Sequence, residues 1–79
     1  MTQIYADKRP SVSSTTWTRI FHSGNAEVHE SDRYYDYYRV IMKDKSAPPK
    51  LFFGESAWMN CQRYVVDKIG MQGYNVFSK

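Results

Sequence analysis

One cysteine and two histidines are the residues of this 79-residue chain best suited to hold a metal ion or attack a substrate. Cys61 recurs with Trp58, Val65 and Ile69 at spacings of three, four and four, a core-facing helical position. There a cysteine acts as a small hydrophobe, whereas a thiol nucleophile needs exposure and a lowered pKa. A lone cysteine can form neither an internal disulfide nor a Cys-rich zinc site. His22 and His29 share a face of the hairpin argued below without being direct partners, so a two-His site would need Glu27 as well. The carboxylates Glu27, Glu30, Asp32, Asp36, Asp44, Glu55 and Asp67 stand among polar or basic neighbours, with no pair spaced for acid and base work. Gly24, Gly54, Gly70 and Gly73 make no Gly-x-Gly or Gly-Lys-Ser element to cradle phosphate. The expectation is no catalytic residue, no metal, no cofactor and no enzyme.

The unusual chemistry is aromatic. Phe, Trp and Tyr make up 16% of the chain, with seven tyrosines, four of them in Tyr34-Tyr35-Asp36-Tyr37-Tyr38. Tyr and Arg are enriched at the energetic centres of protein interfaces, because each offers rigid area with a polar tip. Successive rings of one strand point alternately to its two faces, so four Tyr within five positions cannot all face one small core. The residues expected to meet a protein partner are therefore Arg33, Tyr35, Tyr37 and Arg39, with Tyr34 and Tyr38 as the alternates if the opposite face is exposed. Two other uses of these rings compete. They could pack under the chain's own Arg and Lys stems, or stack single-stranded nucleic acid with Arg33, Arg39, Lys43 and Lys45 around them. Against the nucleic-acid use, the sheet-type RNA-binding signature is absent, and Asp32, Asp36 and Asp44 interrupt the positive field.

Eleven Lys and Arg against eight Asp and Glu give a net charge of +3, short of a basic tail. At 42% hydrophobic and 24% charged residues the chain should fold, and its length suits one domain. Apolar runs such as Val40-Ile41-Met42 and Leu51-Phe52-Phe53 are short and the N-terminus is polar, so neither a membrane span nor a secretory signal is expected. The single cysteine fits a reducing, cytoplasmic setting.

These side chains need elements to position them. Residues 1–14 lack an apolar period and read as a loosely held arm, although Ile4 and Tyr5 could dock on the body; residues 15–79 form the domain. A β-branched and aromatic strand runs from Thr16 to His22, and Gly24-Asn25 supplies a type II′ turn. The second strand follows from Ala26, placing Phe21 opposite Val28, Arg19 opposite Glu30 and Ile20 opposite His29. Ser31-Asp32-Arg33 is a break. Tyr34 to Lys43 is a third strand by its Tyr, Val and Ile content, with a helix capped by Ser31 as the competing reading of the 27–43 region. After a turn at Asp44 to Pro49, Lys50 to Phe53 makes a short strand. Ser56 can cap a helix that ends at Gly70, and Tyr74 to Phe77 would return beside the sheet. The sum is an α+β fold: an antiparallel sheet of four to five strands with one C-terminal helix packed on one face, in two layers. An edge strand, Tyr74 to Phe77 or Thr16 to Phe21, could also pair two copies into a homodimer.

The strand ending in Val40-Ile41-Met42-Lys43-Asp44, the turn, the helix Ser56 to Ile69 and the closing strand resemble the compact accessory proteins that phages make to inhibit host enzymes, toxins or defence systems. The resemblance is architectural and covers roughly the C-terminal half. It implies a non-enzymatic protein in the host cytoplasm that occludes its target by surface complementarity.

Overall fold

Period-two patterning and β-branched residues build four strands in the computed structural model, which describes residues 3–70. They are β1 (Trp17–Ser23), β2 (Ala26–Ser31), β3 (Tyr37–Met42) and β4 (Lys50–Phe53), followed by helix α1 (Ala57–Ile69). Consecutive strands pair antiparallel in the order β1-β2-β3-β4, and α1 lies over β3, between β4 and β2. The fold is therefore α+β in two layers, with the 27–43 region extended rather than helical. The closing strand expected at Tyr74 to Phe77 lies outside the described residues.

The β1–β2 turn is the two-residue loop expected, with Ser23 opposite Ala26 and positive φ at Gly24 (+53°). Phe21 pairs with Val28 as expected, but the rest of the register differs. A β-bulge at Ile20 shifts the pairing so that Arg19 faces His29 and Thr18 faces Glu30. An extra residue on one strand moves every partner beyond it by one, and the pattern of side-chain types carries no mark of it. The third strand also begins later than its composition implied. Asp36 takes a left-handed φ of +55°, which Asp tolerates better than most residues, and the turn it makes delays β3 to Tyr37.

Helix α1 buries Ala57, Cys61 and Val65 at intervals of four, with Trp58, Tyr64 and Ile69 packed beside that stripe and Asn60, Arg63 and Asp67 exposed. Opposite the stripe the sheet contributes Phe21, Ala26, Val28, Val40 and Met42, closing one apolar core. Ser56 occupies the N-cap position without a side-chain hydrogen bond; instead the N–H of Ala57 donates to the carbonyl of Gly54. At the other end Gly70 has φ +84° and its N–H donates to the carbonyl of Val66, the glycine-permitted stop expected there.

The N-terminal segment meets the body at several points. Ile4 forms a parallel bridge with Tyr34: its N–H donates to the Arg33 carbonyl and its own carbonyl accepts from the N–H of Tyr35. A short 3-10 turn, Val12–Ser14, follows, and Trp17 Nε1 donates to the Val12 carbonyl. Among the described residues no helix is long and apolar enough to cross a membrane.

Candidate functional site

Ser31 fixes the loop that carries the tyrosines. It is fully buried at the end of β2, and its Oγ accepts the backbone N–H groups of Arg33 (3.1 Å) and Tyr34 (2.9 Å) while bonding Thr15 Oγ1 at 2.6 Å. Its carbonyl accepts from Gln3 Nε2 at 2.9 Å, and Asp32 accepts the hydroxyls of Thr16 and Thr18. With the loop and the Ile4 segment tied together, Tyr35 meets Tyr5: the rings stack with centroids 4.5 Å apart at 28°. Both stay accessible, Tyr5 at 76% and Tyr35 at 37% of full exposure. They border a cleft of about 320 Å³ that Asp7, Asp36, Phe53 and Glu55 also line.

The structure parts the other expected partner-binding residues. Tyr37 is fully buried on the sheet face away from α1, in edge contact with Trp17, Tyr34 and Phe53, and its hydroxyl donates to the Pro10 carbonyl at 2.7 Å. Burial pushes its phenol pKa up. Tyr38 turns to the helix side and packs on Trp58 with centroids 5.1 Å apart; burial, reinforced by Glu30 and Asp36, pushes its pKa up to about 12. Tyr34 is half-buried under Arg33, whose guanidinium lies 5.4 Å from the ring centroid. Arg33 itself is exposed and reaches the Ser14 carbonyl at 3.5 Å. The chain's own side chains thus cover Tyr34, Tyr37 and Tyr38 wholly or in large part, and Tyr35, stacked on Tyr5, keeps the greatest share of open surface among the four.

Arg39 belongs to a second cluster, on the same sheet face as Tyr37. Its guanidinium stacks 4.7 Å from the Trp17 ring centroid, and its Nε donates to His29 Nδ1 at 2.8 Å. With Nδ1 accepting, the imidazole proton sits on Nε2 and is donated to Glu27 Oε1, 3.1 Å away. That bond holds the Glu27 carboxyl below its usual pKa. Partial burial lowers the pKa of Arg39, although a guanidinium remains charged at any physiological pH. Cross-strand pairing sets Arg19, His29, Arg39 and Leu51 in one row across all four strands.

Tyr5, Trp17, Glu27 and His29 join these two clusters without having been singled out as partner contacts. Cross-strand register brings His29 to Arg39, and sequence spacing does not reveal it. Cys61 is fully buried, and burial pushes its thiol up to about 12, which leaves a neutral, inert side chain. Among the described residues no group of three His, Cys, Asp or Glu side chains could hold a metal ion. Comparison of the chain with protein-family models, with curated proteins and with solved structures finds no match.

Proposed function

We propose that this chain is a small, non-enzymatic, intracellular protein-binding module, acting in the manner of a phage or mobile-element inhibitor that covers a surface of its target. The observation that carries this reading is the stacked Tyr5–Tyr35 pair, held in place by Ser31 and the Ile4 bridge yet left open to solvent. A rigid aromatic surface with polar tips gives contact area at low entropic cost, which is what an interface anchor needs. Arg33, two residues before Tyr35, is exposed and adds a cation to the same loop. Tyr37 and Tyr38 serve the fold, and Tyr34 supports the loop from below.

The competing reading is a single-strand nucleic-acid binder. Asp7, Asp36 and Glu55 line the cleft beside the stacked rings and would repel phosphates brought to them. An oligonucleotide titration separates the two: binding that falls steeply with salt would favour nucleic acid. For the protein-binding reading, Tyr35→Ser should weaken a partner captured from expressing cells by about 2 kcal/mol, ~30-fold in Kd, while leaving the melting temperature close to wild type. Equal affinity with an intact fold would remove this corner as the interface.

A further inference from the structure

We infer that Arg39 is a pre-set carboxylate receptor, seating a Glu or Asp side chain of the partner on the face of the sheet away from α1. The proposal rests on the protein-binding reading above and names the chemistry of a second contact.

The geometry resembles a built recognition group more than a stray surface charge. The Arg39 guanidinium carbon lies over the Trp17 ring, 4.7 Å from its centroid, and His29 takes its Nε hydrogen at 2.8 Å. Glu27 in turn fixes the His29 ring through Nε2 at 3.1 Å. Two groups therefore hold the guanidinium directly, with Glu27 acting through His29; its Nε is already spent, and its two Nη groups have no partner among the described residues. An arginine fork ordered in this way loses little freedom when a carboxylate docks on it with parallel N–H···O bonds.

Charge and shape on the same face agree. Arg19 stands in the same cross-strand row, on the far side of His29; it attracts Glu27 at longer range, and no described carboxylate lies at ion-pair distance from it or from Arg39. The nearby carboxylate, Glu27, is engaged by the imidazole. Leu51, opposite Arg39, and Ile41, two residues along β3, are half-buried and offer apolar contact to either side. The complementary ligand is an acidic side chain flanked by aliphatic ones on an extended segment. Nucleic acid fits less well, since one flat of Trp17 is taken by Arg39 and an edge contact by Tyr37, leaving little ring for a base.

The test uses the isolated chain and needs no captured partner, so it can fail while the Tyr35 result stands, and the reverse. Its probes are a capped Leu-Val-Glu-Val-Leu peptide, the same peptide with Gln for Glu, inorganic phosphate and an oligo-dT strand. Titrations are followed through the side-chain N–H signals of Arg39 Nε and Trp17 Nε1 in nitrogen-15 spectra. The Glu peptide should shift both signals saturably, with affinity at least tenfold above the Gln peptide. Arg39→Lys keeps the charge without the fork and should lose most of that discrimination, read on the Trp17 signal, whereas Arg33→Gln should keep it. Equal response to the Glu and Gln peptides in the wild-type chain would overturn the inference without any variant having to fold. So would discrimination that survives Arg39→Lys, a phosphate response matching the Glu peptide, or tighter binding of oligo-dT.

Discussion

Replacing Tyr37 by Ala should remove most of the stability of the fold, leaving up to about half of the population unfolded at room temperature. The ring is fully buried, meets Trp17, Tyr34 and Phe53, and ties the N-terminal segment to the sheet through the Pro10 carbonyl. Truncating a buried aromatic residue costs about 3–5 kcal/mol in lost transfer free energy and cavity formation. Small domains have about 5 kcal/mol to lose, since native proteins span only about 5–15 kcal/mol in total. Tyr37→Phe separates the two roles of the side chain. It keeps the packing and removes one hydrogen bond, so the loss should be about 1 kcal/mol, or a melting shift of about 4–8 °C. Urea unfolding followed by circular dichroism measures both variants. If Tyr37→Ala cost no more than Tyr37→Phe, the aromatic cluster would not be part of the core.

Ser31→Ala should produce the second-largest effect, and a more local one. The hydroxyl of the fully buried Ser31 accepts two backbone N–H groups and bonds Thr15, all three partners being partly shielded from solvent. Alanine fits the space but strands the N–H groups of Arg33 and Tyr34, at about 1–3 kcal/mol for buried unsatisfied donors. Those donors belong to the loop that presents Tyr35, so the damage should reach the Tyr5–Tyr35 stack. Amide hydrogen exchange should accelerate at Arg33, Tyr34 and Tyr35 while Val28 and Val40 in the core remain protected. Exchange unchanged at all three loop amides would show that Ser31 is not what orders the loop.

Much of the frame was legible in the sequence because its signals are local. The stripe through Cys61 and Val65, the glycines at 24 and 70, and the extended character of Val40 to Met42 each follow from spacing or backbone preference within a few residues. The bulge at Ile20 and the turn at Asp36 left no such mark, and each displaced a strand partner or a strand start. The tyrosine run was legible as a surplus of rings, but not as a distribution of them. Alternation says that neighbouring rings face opposite sides of a strand; it does not say which side receives the helix or whether another segment covers the other. Here α1 takes Tyr38, the N-terminal segment closes over Tyr37, and Tyr35 lies in the turn before the strand begins. The Trp17–Arg39–His29–Glu27 chain spans three strands, so it exists only once the register is set.

The most direct test of the account is a hydrogen-exchange footprint of the chain with a partner captured from expressing cells. Protection should gather at residues 4–6, at Arg33 to Tyr35 and around Arg39 on β3, where the stacked tyrosines and the arginine fork lie. Protection confined to the outward face of α1, at Asn60, Arg63 and Asp67, would contradict it and place the binding surface on the opposite side of the molecule.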